Sequence, residues 1–151
     1  MKLIRLRASS VRRLREIEPT PDAEPWVAEV EKYLLEGGAA SHRFDPLSAV
    51  LLADDDGRVL GAAVHHPASA FPGAQYISAL MIDHRRRGHG LGREFFVAVL
   101  ADARERSGKR YVIWTVHPQN KSMIALSKSL VADKNEFGIE PDSGYLIFID
   151  P

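Results

Sequence analysis

Cysteine is absent from the 151 residues. That excludes a disulfide framework and thiolate zinc sites, and it fits a reducing, cytoplasmic setting. Net charge is absent as well, because Lys plus Arg and Asp plus Glu number 20 each. A neutral chain argues against broad binding to nucleic acid or to an anionic membrane. No apolar run approaches the roughly 20 residues needed to span a bilayer. Met1 to Arg5 carry no signal-peptide core. Repeats, low-complexity tracts and linkers are also missing, and no metal site is expected. What remains is 45% hydrophobic and 26% charged, the composition of a soluble globular domain long enough to bury a core, and residues 1–151 are expected to form a single domain.

The pattern predicts a mixed α/β domain. Residues 2–7 alternate like a strand. Ser9 or Ser10 is placed to cap a helix carrying Val11, Leu14 and Ile17, and Pro19 and Pro21 end it. Asp22 is the expected cap of a second helix with Trp26, Val30, Tyr33 and Leu34 at helical spacing, stopped by Gly37 and Gly38. Strands are expected at 49–53 and 58–66 around an Asp-Asp-Asp-Gly turn. A further strand, buried on both faces, is expected at 75–82. A helix over 91–107 follows, with Phe95, Phe96, Val99 and Leu100 on its inner side and Gly108 as its stop. Then come a buried strand at 110–116, a helix at 121–130 capped by Asn120, and closing strands at 136–139 and 145–149. This order gives an antiparallel N-terminal half, a right-handed parallel crossover, and helices on both faces of the sheet.

Between the strand ending at Ile82 and the helix starting at Leu91 lies Arg85-Arg86-Arg87-Gly88-His89-Gly90-Leu91-Gly92-Arg93. The first amides of a helix have no internal partner, and the helix dipole favours negative charge there. Glycines let a phosphate approach the backbone closely. The arginines add charge that pairs with phosphate oxygens. Two other nucleotide motifs do not fit. A phosphate loop needs Lys then Ser or Thr after its last glycine, and Arg93-Glu94 stand there. A dinucleotide fingerprint needs a glycine three positions after Gly90, and Arg93 stands there.

The stretch from Leu80 to Gly92 closely resembles the acetyl-coenzyme A loop of the Gcn5-related N-acetyltransferase (GNAT) family. Arg87, Gly90 and Gly92 match the family pattern of Gln or Arg, two residues, Gly, one residue, Gly or Ala. Val116-His117-Pro118-Gln119-Asn120, with Ile124-Ala125-Leu126, resembles the family's fifth strand and following helix. The likeness runs over about residues 76 to 130 and is weak elsewhere. It implies a GNAT fold whose parallel pair of strands, at 75–82 and 110–116, splays apart. It implies acetyl-coenzyme A as acyl donor, and an amine acceptor on a small molecule, peptide or protein. Main-chain groups of Leu80, Met81 and Ile82 would pair with the pantetheine arm. The amides of residues 88–93, with Arg85, Arg86 and Arg87, would hold the pyrophosphate. Asn120 would reach the pantetheine or acetyl side. A homodimer is common in such families.

Direct transfer requires the amine to lose a proton and the leaving thiolate to gain one. The resemblance places a tyrosine where Ser127 stands, and glutamates near Thr115 or at Tyr76. The usual Gly-Phe after the last helix is Val131-Ala132 here. A serine is a far weaker acid than a phenol. His117, His66 and Ser127 are therefore the catalytic candidates, with His65, Asp83, His84 and Ser78 as further polar neighbours. Ser78 is expected on the face of Tyr76 and Leu80. Acceptor choice would fall to the first two helices and the loops at 37–48 and 67–74, which carry Trp26, Tyr33, His42, Phe44 and Phe71, with Glu29, Glu36 and Asp45 as acidic neighbours. Two other readings stand beside transfer. One is a catalytically reduced acetyl-coenzyme A sensor or interaction module. The other is nucleic-acid binding through Arg12, Arg13, Arg15 and residues 85–87.

Overall fold

A computed structural model describes residues 1–19, 21, 23–36, 47–131, 137–139 and 144–150. Strands β1 (Lys2–Arg5), β2 (Ser48–Ala53), β3 (Val59–Pro67), β4 (Ala74–Ile82), β5 (Tyr111–Val116), β6 (Phe137–Ile139) and β7 (Leu146–Asp150) join in one sheet of order β1-β2-β3-β4-β5-β7-β6. Every pairing is antiparallel except β4 with β5. Helix α1 spans Glu24–Leu35, α2 Leu91–Ser107 and α3 Lys121–Val131. The α/β class, the antiparallel half and the parallel β4–β5 step agree with the sequence.

Both sheet faces are covered. On one side Phe95, Phe96, Val99 and Leu100 of α2 and Val131 of α3 pack on Val50, Ala63, Ile77, Val112 and Trp114. Trp114 stacks on Phe148 at 5.7 Å between ring centroids and meets Phe96 edge-on at 4.9 Å. Each such fully buried ring contributes on the order of 1.5–3 kcal/mol by leaving water. On the other side Leu14, Ile17, Val27 and Val30 pack on Leu51, Ala62 and Val64.

Four local expectations change. Ala8–Glu16 is a 3₁₀ helix rather than an α-helix. Val11, Leu14 and Ile17 recur at a strict three-residue interval, which a three-residue turn stacks on one edge. All three are buried. Ser10 serves as the third residue of that turn, its hydroxyl accepting from the Arg7 amide at 3.0 Å. The expected cap at Asp22 lies outside the described residues, and α1 starts after Ala23 with no side-chain cap. Lastly, β4 is not buried on both faces throughout, because from Ser78 onward it is only partly covered. It pairs with β5 only over Ala74–Ile77, opposite Tyr111–Trp114, and then leaves it.

The fourth change is a bulge. Val64 faces Ala79 while His65 faces Ile77, so Ser78 is an extra residue on β4. An extra residue shifts every later side chain to the other face. Ile77 and Leu80 therefore both belong to the α2 side of the core. Ser78 does not share one face with both Tyr76 and Leu80, as simple alternation predicted.

Candidate functional site

Where β4 and β5 separate, a cavity of about 850 Å³ opens. One wall is β4 from Ile77 to Ile82, the other β5 from Trp114 onward with Asn120, Ser122, Met123 and Leu126 of the following segment. At one end it reaches the N-terminus of α2, where Arg86, Arg87, Gly88, Gly90, Leu91 and Gly92 line it. Ala23 and Trp26, at the start of α1, close another side. Among the described residues, no carboxylate lines the cavity.

The mouth of α2 is bare. Gly90 immediately precedes the helix at φ 76° and supplies no side-chain cap. Gly88 has φ 84°, so both positions require a conformation that side-chain-bearing residues rarely adopt. A Cβ built on Gly88, Gly90 or Gly92 meets no atom within 4 Å. The glycines therefore leave open space above unpartnered amides, which is the geometry of an anion cradle. Arg86 and Arg87 are exposed beside it.

The predicted loop residues do not all reach the cavity. Arg85 turns away and forks onto Asp83, with Nε to Oδ1 at 2.9 Å and Nη2 to Oδ2 at 2.6 Å. It also donates to the Glu16 carbonyl at 3.2 Å. The Arg85 hydrogen bonds hold the Asp83 carboxyl below its ordinary range, against the opposing effect of its burial. His89 places Nδ1 3.0 Å from the Arg87 carbonyl. Arg93 donates to Ser129 Oγ at 2.6 Å and so ties α2 to α3. None of these three side chains lines the cavity. Leu80, Met81, Ile82 and Asn120 do line it. Asn120 Oδ1 accepts from the Met123 amide at 3.1 Å as the cap of α3, so what it offers the cavity is its NH₂ group.

The catalytic candidates separate. Ser127 is fully buried, and its hydroxyl accepts from the Trp114 indole N–H at 2.9 Å. It is a core partner that does not line the cavity. His66 is 6% exposed, lies edge-on to Tyr76 and bonds through Nδ1 to the Pro67 carbonyl at 2.9 Å. It too is outside the lining. His65 faces α2, with Nε2 2.9 Å from Asp102 and Nδ1 2.8 Å from the Gln75 amide. Burial pushes its pKa down, and the Asp102 partner only partly opposes that. Asp102 is raised by burial, but hydrogen bonds from His65 and Arg106 and the charge of Arg5 bring it below its ordinary value. This cluster ties β1, β3, β4 and α2 together away from the cavity.

His117 does line the cavity. Its Nδ1 accepts from the Gln119 amide at 3.1 Å, and its ring meets Tyr145 edge-on. That bond leaves the neutral ring's hydrogen on Nε2, so His117 is held as a donor rather than as a base. Unforeseen from the sequence, the Tyr76 and Thr115 hydroxyls share a hydrogen bond, with Tyr76 OH 2.8 Å from Thr115 Oγ1 across the β4–β5 junction. Nothing in local patterning reveals that bond, because its partners are 39 residues apart. The arginines considered for nucleic acid are partly spoken for: Arg13 pairs with Glu16, and Arg15 with Glu24 and Glu31.

Comparison with known proteins agrees with this geometry. The family described as "Acetyltransferase (GNAT) family" matches residues 10–130. Among curated proteins, no sequence matches. Solved structures share the fold at low identity. A ribosomal-protein-alanine N-acetyltransferase from Brucella melitensis is 18% identical with a TM-score of 0.65, covering 99% of both chains. A spermidine N-acetyltransferase chimera from Vibrio cholerae and hSSAT is 11% identical at 0.69, covering 99% of this chain and 93% of that one. An acetyltransferase from Agrobacterium tumefaciens is 15% identical at 0.67, covering 100% and 93%. With a bare helix mouth, a β4–β5 cleft between them and four-fifths of its length matched, this chain belongs to the GNAT family of N-acetyltransferase enzymes, which take an acyl-coenzyme A donor and an amine acceptor.

Proposed function

We propose that the chain moves an acetyl group from acetyl-coenzyme A directly to a primary amine of a small molecule, peptide or protein. The observation that carries this reading is the continuity of one cavity from the α2 mouth, along β4, into the β4–β5 junction. The amides of residues 88–93 would hold the diphosphate, with Arg86 and Arg87 adding charge. Arg85 has no part in this, being committed to Asp83. The main chain of Leu80 to Ile82 no longer pairs with β5, so those strand groups are available to the pantetheine amides. The Asn120 NH₂ and His117 Nε2–H would face the acyl end as donors. When bound, the coenzyme supplies an activated thioester; the protein supplies position, a cleft and hydrogen bonds.

The amine would enter past Trp26 and Ala23, where α1 borders the cavity. A purely coenzyme-binding module is the less favoured reading, because the matched family is one of acetyltransferases. Among the described residues no helix is long and apolar enough to cross a membrane, and a cytoplasmic location remains part of this proposal. Calorimetry with coenzyme A and acetyl-coenzyme A, followed by thiol release with an amine panel, tests the reading. Binding of both, with release in at least one amine, is expected. No heat with either coenzyme would end it.

A further inference from the structure

The β4–β5 junction holds a pair of hydroxyls, Tyr76 and Thr115, at the two places where the resemblance leads one to expect a carboxylate. The last paired rung is Ile77 opposite Trp114, and Thr115 is the next residue of β5. Its main chain is in register with Ile147 of β7, and Thr115 lines the cavity at the point where the strands part. Tyr76 lies one residue before that rung and does not line the cavity. Its phenol oxygen meets Thr115 Oγ1 at 2.8 Å. Either hydroxyl can donate in this pair, and the greater acidity of a phenol favours Tyr76 as donor and Thr115 as acceptor. Being β-branched, Thr115 has a stiff χ1, which keeps its oxygen at this place. Across the cleft stands the bulged Ser78, whose buried hydroxyl has no partner among the described residues.

Resting on the transfer reading above, we propose that Thr115 carries the proton from the attacking nitrogen to the departing sulfur, with Tyr76 as its positioning residue. The inventory of one hydroxyl fits the task. A threonine oxygen has one hydrogen and two lone pairs. One lone pair takes the Tyr76 hydrogen bond. The second is left for an N–H, and the hydroxyl hydrogen is left to donate. The amine attacks in its neutral form, the C–N bond forms, and the carbonyl electron pair moves to oxygen. The nitrogen of that adduct gives a proton to Thr115 as Thr115 gives its own to sulfur. The carbonyl re-forms and the C–S bond breaks. One proton has passed from N to S, Thr115 is again a hydroxyl, and no external base is consumed.

The test uses the whole chain, acetyl-coenzyme A and whichever amine of the panel releases thiol. Thr115→Val keeps the shape and removes the hydroxyl; kcat should fall about 100-fold, the scale of one acid–base group. Calorimetric affinity for coenzyme A should stay within about twofold, the level expected when only a transition-state contact is lost. Thr115→Ser restores the hydroxyl and should recover most of the rate. Tyr76→Phe should lower kcat by about tenfold, less than the loss of the shuttle itself, with coenzyme affinity unchanged. Should the valine variant fail to bind coenzyme, the phenylalanine variant decides, and a wild-type kcat there overturns the role. A Thr115→Val rate within twofold of wild type, or a serine variant as slow as the valine one, also overturns it while leaving the transfer reading intact. Tight coenzyme binding with no thiol release from any amine overturns both.

Discussion

Replacing Gly92 with alanine separates coenzyme binding from folding. Gly92 is the second residue of α2 and does not have positive φ. A Cβ built there meets nothing within 4 Å. The free protein therefore has no steric objection to the methyl. Alanine in a helix should add up to about 1 kcal/mol of stability relative to glycine, or roughly 2–4 °C in Tm for a chain of this size. Only a ligand resting on the helix mouth can object. A methyl under the diphosphate should break one or two charge-assisted hydrogen bonds, each worth about 1.5–3 kcal/mol. That corresponds to a loss of at least about tenfold in affinity. Scanning calorimetry and isothermal titration with coenzyme A read the two effects separately. Gly61→Ala is the opposite control, because its Cβ would lie 2.8 Å from the Met81 carbonyl and 2.9 Å from a Phe95 ring carbon. It should destabilise by about 1–3 kcal/mol through overpacking. Unchanged coenzyme affinity in Gly92→Ala, with the fold intact, would refute the placement of the diphosphate on this turn.

Other outcomes follow from the same geometry. Ser127→Ala leaves the buried Trp114 N–H without its acceptor, so stability should fall by about 1–3 kcal/mol; chemical denaturation measures it, and a large kcat loss at unchanged stability would contradict the core assignment. Arg87→Gln should weaken coenzyme A binding about tenfold and flatten its salt dependence, the loss expected of one charge-assisted contact. Arg85→Gln, at the Asp83 fork, should leave that affinity unchanged while lowering stability, and equal binding losses in the two variants would refute the division. His65 has a folded pKa below 6.5, so the unfolded chain takes up protons first on acidification. Its contribution is present above about pH 6.5 and is lost as pH falls through the depressed folded value. Asp102, held below 3.8, adds a further loss in the same direction at lower pH. Urea unfolding from pH 7.5 down to 4.5 should show declining stability, and His65→Gln should flatten that decline; an identical slope would count against the buried cluster as its source.

Much of the fold was readable because its signals are local. The Asp-Asp-Asp-Gly turn became a tight turn with the Gly57 amide on the Asp54 carbonyl at 3.0 Å. Asn120 caps α3, and Gly108 ends α2 at φ 60°. The glycine loop opens onto the cavity because glycine spacing and a helix start act over a few residues. The 11, 14, 17 spacing was ambiguous between two helix types, and the tighter turn prevailed. Arg85 looked equivalent to Arg86 and Arg87 in the sequence. A carboxylate two residues away claimed it, since a buried Asp83 without a cation would be costly.

By itself the sequence determined which segments are strands or helices, that a glycine-rich turn stands at the mouth of a helix, and which family the chain resembles. Tertiary structure alone decided which polar groups face the cleft. It sent Ser127 to an indole, His65 to Asp102 and Arg85 to Asp83, and it brought Tyr76 to Thr115. The reason is one of range. Hydrogen-bond partners separated by dozens of residues meet only after strand register is set, and a single bulged residue at Ser78 reverses which face the rest of β4 presents.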